Sequence, residues 1–226
     1  MTKNNLYGIK RRNINKMRNL ILNTGSYLVW VLVLLEIILG IISLKSGKHL
    51  RNKLVSMVCF GLSVDALIIA LGTFAGESAV LHGVSQIRYI LHGILVPLLI
   101  PISFNTFGIK NQVIRKVLWC ITGFFILSGI TMGIITKTEP VETANILRYA
   151  SSENTPQFAR VMDRLLSFGG VIPLIAFGIA NLIKNKNACL LLSGVFMFVF
   201  SALAPATGNA DLIFLVSMIG EALMGL

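Results

Sequence analysis

Long apolar runs alternate with short polar segments along most of this chain. The apolar runs cover residues 27–44, 54–75, 89–108, 117–136, 165–183, 188–206 and 212–226. A helix needs about 20 apolar residues to cross a hydrocarbon core about 30 Å thick. Because the backbone must satisfy its own hydrogen bonds in lipid, runs of this length are expected to be helices. The pattern therefore predicts an all-α, polytopic membrane helix bundle with about seven transmembrane helices.

The composition limits the number of domains. Of the 226 residues, 55% are hydrophobic and 13% are charged, whereas a soluble domain has about 25% charged residues. So little polar sequence separates the runs that we expect one transmembrane domain over residues 27–226, preceded by a basic polar tail over residues 1–26. No cleavage site follows the first run, so it is expected to be a retained helix and not a signal peptide.

The formal net charge of +11 does not indicate a protein that binds nucleic acid. The basic residues flank apolar runs, where they meet anionic lipid headgroups in a membrane that we expect to be the plasma membrane. The connections after the first, third and fifth runs are short, basic and free of acids, which favours a cytoplasmic position for them. The basic N-terminal tail favours the opposite arrangement, so the sequence leaves the orientation open.

The longest connection, residues 137–164, is predicted to lie at the membrane interface. Thr155 and Pro156 have the residue types of a helix N-cap and a first helical position. Phe158 and Val161 follow at helical spacing. We therefore expect a short amphipathic helix before the fifth run, and a solvated connector is the alternative.

Ionisable side chains inside the apolar runs are the strongest functional signal. Each costs about 2.5 kcal/mol or more in lipid unless it is paired or hydrated. The candidates for binding a ligand or a proton are Glu36, Asp65, Arg88, Tyr89, His92 and Glu221. Small residues accompany the acids at helical spacing, and small residues mark contacts between membrane helices. The acids are therefore expected to face the inside of the bundle and to meet there.

The third run carries two candidates on one face, since Arg88 and His92 are four residues apart. With antiparallel neighbouring helices, Asp65 and His92 are expected at comparable depth, and a carboxylate beside an imidazole suits proton relay or cation binding. Four residues near the ends of the runs are predicted to rim this cavity: Glu77, His82, Asn209 and Asp211. For all of these residues, hydrogen bonding between helices is the structural alternative.

No sequence motif indicates an enzyme. GxSxG, HExxH and Walker A motifs are missing, and Cys59, Cys120 and Cys189 stand singly, so no catalytic residue, metal site or cofactor is predicted. The favoured hypothesis is an integral membrane protein that binds or translocates a small solute or a proton through a polar intramembrane cavity. The alternatives are a non-catalytic receptor or partner subunit and an intramembrane lipid-modifying enzyme. The expected partner is the lipid bilayer, and the oligomeric state is left open.

Overall fold

The computed structural model describes the backbone of residues 3–206 and 210–223 and the side chains of residues 24–200 and 210–223. Helices make up most of the structure. The helices are α1 (Lys3–Lys45), α2 (Leu50–Ala75), α3 (Ala79–Leu95), α4 (Leu99–Phe107), α5 (Gln112–Ile135), α6 (Gln157–Asn185), α7 (Cys189–Ala206) and α8 (Ala210–Leu223). A 3₁₀ turn over Val96–Leu98 joins α3 to α4, so these two helices form one interrupted span.

In the described part of the chain, five helical segments are long and apolar enough to cross a membrane: Thr24–Lys45, Leu50–Ala75, Ala79–Phe107, Gln112–Ile135 and Gln157–Asn185. Their outward side chains are apolar, as contact with lipid requires, and Leu127 of α5 is 69% exposed. These segments indicate a helical, multi-pass membrane protein with about five spans. Helices α7 and α8 coincide with the sixth and seventh predicted spans. However, Cys189–Phe200 and α8 are shorter, so their crossing remains a prediction.

The N-terminal segment is part of the first helix. Residues 1–26 are predicted to form a polar tail, but the backbone is helical from Lys3 and continues without a break into the first span. The basic segment and the apolar run therefore form one helix, and only Thr24–Lys45 has the composition of a membrane span.

Neighbouring helices approach closely where glycines face each other. Gly93 of α3 and Gly129 of α5 lie backbone to backbone, and a β-carbon on either one would collide with the other. Gly178 of α6 packs in the same way against the backbone of Leu191 of α7. Small residues let membrane helices come close enough for dispersion contacts to hold them together. These contacts set the level at which polar groups on adjacent helices meet.

The third span is interrupted at the 3₁₀ turn Val96–Leu98. Pro97 lies in this turn and has no backbone N–H, so it breaks the ladder of α-helical hydrogen bonds. On the α4 side of the turn the bundle is filled by a cluster of buried apolar side chains, among them Leu62, Leu99 and Leu174. This cluster closes the half of the bundle next to the short basic turns.

The sequence does not predict the β-hairpin that lies between α5 and α6. Strands β1 (Thr138–Thr143) and β2 (Ile146–Ser151) pair in antiparallel fashion. Between them, Ala144 and Asn145 have φ angles of 53° and 58°, the left-handed values that a type I′ hairpin turn requires at both positions. Ala-Asn is not the usual Asn-Gly signature, and neither strand alternates strictly between apolar and polar residues, so the pattern contains no clear hairpin signal.

The tip of the hairpin is inserted among α1, α2 and α8. Ala144 and Ile146 are 1% and 0% exposed. Gly72 of α2 leaves room for the carbonyl of Leu147, where a β-carbon would collide. The backbone N–H of Ala144 donates to Asp211 Oδ1 of α8 at 2.7 Å. The hairpin is therefore a packed part of the bundle and not a solvated connector.

The structure also corrects the prediction for the end of the connector 137–164. The residues after Pro156 are helical as expected, but they belong to α6, which continues unbroken into the fifth span instead of forming a separate interfacial helix. Pro156, not Thr155, occupies the N-cap position, with an extended ψ of 142°. The Thr155 hydroxyl instead donates to the carbonyl of Lys137 at 2.9 Å. It closes the base of the hairpin, a long-range role that local spacing does not indicate.

Candidate functional site

Asp65 of α2 and Arg88 of α3 form an ion pair inside the bundle. Arg88 Nε donates to Asp65 Oδ1 at 2.7 Å, and Arg88 Nη2 donates to Asp65 Oδ2 at 3.3 Å. The two side chains are only 15% and 7% exposed, so each charge depends on the other for its neutralisation. The sequence prediction places Asp65 beside His92 instead. The antiparallel register of α2 and α3 puts Arg88, one turn earlier, level with Asp65.

A cavity of about 200 Å³ lies beside this ion pair. Five of the six predicted ligand- or proton-binding candidates line it: Asp65, Arg88, Tyr89, His92 and Glu221. The apolar part of its wall comes from Ile69, Met132, Phe214 and Met218. Since each water in the liquid occupies about 30 Å³, the space has the size of a small solute or of several waters.

Three polar residues of the wall were not singled out from the sequence: Arg148, Asp163 and Ser217. Ser217 lies four residues before Glu221, and this spacing is the signal that identifies it as a residue of the same face. Asp163 belongs to the first turns of α6, where the continuous helix brings it to the bundle. Arg148 lies on β2 and reaches the cavity only because the hairpin folds inward, so helical spacing contains no signal for it.

Arg148 brings a second guanidinium to the cavity. Its Nε donates to Thr143 Oγ1 at 3.4 Å, and its guanidinium carbon lies 4.7 Å from the centroid of the Phe214 ring. It forms no salt bridge within the described part of the chain. Burial, reinforced by the positive charge of Arg88, lowers the pKa of Arg148, but a guanidinium stays protonated in proteins. Arg148 is therefore a positive charge that no carboxylate of the described residues pairs with.

Glu221 of α8 is the acidic counterpart of Arg148 in the cavity wall. Among the described residues it makes no hydrogen bond or salt bridge, although its charge interacts with those of His92, Asp65 and Arg88. Because Asp65 and Arg88 neutralise each other, Arg148 and Glu221 remain as a basic and an acidic group that face the same space, and neither has an ion-pair partner among the described residues.

Glu36 does not line the cavity, although its carboxyl group lies close to it. Glu36 is 2% exposed, and its Oε2 has no hydrogen-bond partner among the described residues. Its charge interacts with those of Glu221 and Asp65. Glu36 therefore lies buried in the bundle without contacting the cavity.

Three of the four residues predicted to rim the cavity are described by the structure, and all three lie away from it. Glu77 is exposed in the turn after α2. The His82 ring packs against that of Tyr149 in β2, with 4.8 Å between centroids, and Asp211 accepts from the tip of the hairpin. His82 and Asp211 therefore support the hairpin and do not contact the cavity. Asn209 lies outside the described residues.

The cavity thus combines groups of both charge signs, hydroxyls and an imidazole. No family model and no curated protein matches this chain. Its function is therefore inferred from the chemistry of the site. Among the described residues, no group of three or more His, Cys, Asp or Glu side chains is arranged to hold a metal ion. The arrangement is suited to non-covalent binding of a small polar molecule or a proton.

Proposed function

We propose that this protein binds a small polar solute in the cavity lined by α2, α3, α5, β2, α6 and α8. The observation that supports the proposal is that Arg148 and Glu221 face one space of about 200 Å³ and have no ion-pair partner among the described residues. Charges inside a membrane protein are costly unless they are paired or hydrated. A polar ligand, or water in its absence, offsets that cost. A role in packing alone favours a closed centre with every charge paired.

The unpaired charges indicate the class of solute. Arg148 suits an anionic group, because its planar guanidinium binds carboxylate or phosphate oxygens through paired N–H donors. Glu221 suits a cationic or hydrogen-donating group. The Tyr89 hydroxyl, which donates to the Tyr149 carbonyl at 3.4 Å, adds an acceptor in the same wall. A small zwitterion, such as a molecule of the amino-acid class, satisfies both charges at once.

The interrupted third span supports movement of the solute as well as binding. Arg88 and His92 lie in α3 just before the 3₁₀ turn Val96–Leu98. Binding sites in many membrane transporters lie at such helix interruptions. Beyond the turn the apolar cluster closes the bundle, so the solute reaches its site from the hairpin side. Translocation requires that cluster to open, and uptake into proteoliposomes tests this part of the proposal.

The first experiment asks whether water reaches the cavity. In a Cys120→Ser, Cys189→Ser background, we expect Ser217→Cys to react with a water-soluble methanethiosulfonate reagent, because Ser217 lines the cavity. The matched control is Ser103→Cys in α4, which is 0% exposed and is expected to stay unmodified. An unreactive cysteine at position 217 in the folded protein contradicts a water-filled cavity.

The second experiment identifies the solute class by thermal unfolding of the purified chain. Small zwitterions, carboxylates and amines are added separately, and a zwitterion is expected to raise the unfolding temperature. We expect Arg148→Gln and Glu221→Gln to abolish that rise, whereas Lys137→Gln, which removes a charge beside the hairpin outside the cavity, keeps it. No shift with any of the three solute classes contradicts the proposal.

Glu36 favours a proton as a second ligand. Its buried carboxyl oxygen lacks a hydrogen-bond partner among the described residues, and protonation removes the cost of burying a charge there. A solute that carries charge past the nearby acids is expected to change their proton occupancy. We expect solute binding to exchange protons with a pH-indicator dye in the wild type and in Glu77→Gln, and not in Glu36→Gln. Equal exchange in all three proteins excludes Glu36 as the proton site.

A further inference from the structure

A second cavity, of about 160 Å³, lies where α5 ends, β2 ends and α6 begins. It shares Tyr89, Met132 and Asp163 with the first cavity, so one wall separates the two. Its other polar walls contain the hydroxyls of Ser151 and Thr155. Of the six residues predicted to bind a ligand or a proton, Tyr89 lines this second cavity and the other five do not.

Two arginines dominate the charge of this second cavity. Arg160 and Arg164 are one helical turn apart on α6, so both project from the same face. Neither forms a salt bridge in the part of the chain that the structure describes. Asp163 is the acid of the wall, and its charge interacts with those of His92 and Arg164. The cavity therefore keeps a net positive charge, with two guanidinium groups available to one anion.

The length of α6 places these arginines at the level of lipid headgroups. The helix has 29 residues, which at 1.5 Å per residue exceed a hydrocarbon core of about 30 Å by roughly nine residues. Its apolar stretch begins directly after Arg164. Around the arginines, Phe158, Val161 and Leu165 are 50%, 46% and 49% exposed. Basic and exposed apolar side chains together are typical of the membrane interface.

The hydroxyl groups of the second cavity fix the base of the hairpin beside the two arginines. Thr155 is 2% exposed, and its hydroxyl is held between the carbonyl of Lys137 and the Ser151 hydroxyl at 2.9 and 3.1 Å. The base of the hairpin is therefore a rigid wall. A phosphate group is bound by Arg through paired N–H donors, and basic pockets between transmembrane helices bind anionic lipid headgroups.

We propose that the second cavity binds the phosphate-bearing headgroup of an anionic membrane lipid, whose acyl chains run along the lipid-facing side of α6. The proposal can be tested apart from the solute cavity, since Arg160 and Arg164 line the second cavity and not the first, whereas Arg148 and Glu221 line the first and not the second. Lipid bound here lies directly behind Tyr89 and Asp163, and thus contacts the wall of the solute site.

The experiment measures lipid binding to the full-length chain in a neutral detergent by native mass spectrometry. The probes are dioleoylphosphatidylglycerol, dioleoylphosphatidylcholine and inorganic phosphate. The wild type is expected to bind the anionic lipid more tightly than the zwitterionic one. The double variant Arg160→Gln/Arg164→Gln is expected to bind the anionic lipid about tenfold to thirtyfold more weakly than the wild type. The control Lys110→Gln/Lys116→Gln removes two charges at the opposite membrane face. It is expected to change the affinity for the anionic lipid by less than about twofold.

Further variants separate this proposal from misfolding and from the solute site. Arg160→Lys/Arg164→Lys keeps the charges but loses the planar donors, so it is expected to bind with intermediate affinity while unfolding at the wild-type temperature. Arg148→Gln is expected to leave lipid binding unchanged, even if the solute proposal fails. Equal affinity of the wild type for both lipids overturns the proposal. So does a loss of anionic-lipid affinity in Lys110→Gln/Lys116→Gln as large as that in Arg160→Gln/Arg164→Gln. Phosphate binding as tight as that of the lipid shows that the site takes free phosphate instead.

Discussion

Buried polar groups find different hydrogen-bond or ion-pair partners in the two halves of the bundle. In the half next to the short basic turns, buried hydroxyls bond to nearby backbone, as Ser103 does to the Leu99 carbonyl at 2.6 Å and Ser56 to the Gly40 carbonyl at 2.9 Å. In the half next to the hairpin, Asp65 and Arg88 pair with each other across two helices. These two hydroxyls of the first half are satisfied within one helix and between adjacent helices, respectively.

The difference separates packing from binding. A membrane helix tolerates Ser and Thr anywhere, because their hydroxyls bond to a carbonyl one turn away. A carboxylate or guanidinium has no such local solution and needs a charged partner, water or a ligand. In the hairpin half, Arg148 and Glu221 lack such partners among the described residues and face a cavity. The cost of these groups in a membrane therefore favours a binding role for that half.

The largest effect is expected from breaking the ion pair. Asp65→Ala leaves Arg88 as an unpaired charge inside the bundle, and we expect the free energy of unfolding to fall by about 3–5 kcal/mol. The double variant Asp65→Ala/Arg88→Ala removes both charges, so its free energy of unfolding is expected to fall by less than that of Asp65→Ala. Unfolding by sodium dodecyl sulfate in mixed micelles measures both values. A double variant as unstable as Asp65→Ala means that the pair is not held by charge.

The apolar half is expected to lose stability without any change at the cavity. Leu99 is 2% exposed in the apolar cluster, and Leu99→Ala is expected to cost about 2–5 kcal/mol because it leaves a void. Leu127→Ala, at a site that is 69% exposed to lipid, is the control and is expected to cost little. Reactivity of a cysteine at position 217 should stay the same in both variants. A changed reactivity in Leu99→Ala shows that the two halves are coupled.

The boundary between the halves depends on the close approach of α3 and α5. Gly93→Ala places a β-carbon against the backbone of Gly129 and is expected to destabilise the protein by about 1–3 kcal/mol through overpacking. Gly83→Ala on the same helix is the matched control, since a β-carbon there meets no atom within 4 Å. It is expected to be neutral or slightly stabilising, because Ala favours a helix over Gly. Thermal unfolding of the two variants compares them directly, and equal unfolding temperatures exclude a tight contact at Gly93.

The smallest effect is expected at the tip of the hairpin. Asp211→Ala removes the acceptor for the Ala144 N–H, which lies at 2.7 Å, and we expect a loss of about 1 kcal/mol. Asp211→Asn keeps a side-chain oxygen and is expected to lose less. Hydrogen exchange should speed up in β1 and β2 of Asp211→Ala while α4 stays protected. Faster exchange in α4 as well indicates that the hairpin holds the whole bundle together.

Helical periodicity in the sequence predicts which side of the spans most of the cavity residues lie on. The small-residue faces of the first, second and last runs predict that their acids point inward, and the cavity wall contains Asp65 and Glu221 together with Arg88, Tyr89 and His92 of the third span. Their inward position can be read from the sequence because helical periodicity determines which side of a helix a residue lies on; their role as binding residues stays a prediction. Glu36 shows what helical periodicity does not predict: its inward face buries it in the bundle, but Glu36 does not line the cavity.

The pairing of charges and the hairpin depend on distant parts of the chain. Whether Asp65 meets Arg88 or His92 depends on a shift of one helical turn between α2 and α3, which is set by packing and not by local sequence. Arg148 reaches the cavity only because Gly72 and Asp211, far from it in sequence, accept the hairpin between the helices.

The apolar runs by themselves determine that this chain is helical and lies in a membrane, because lipid provides no hydrogen-bond partners and leaves a spanning backbone little choice but to bond along its own helix. The tertiary structure alone decides which charges neutralise each other, which remain unpaired, and where the two cavities form. These outcomes depend on the register between helices and on a hairpin folded back into them, and such contacts join residues that the sequence keeps far apart.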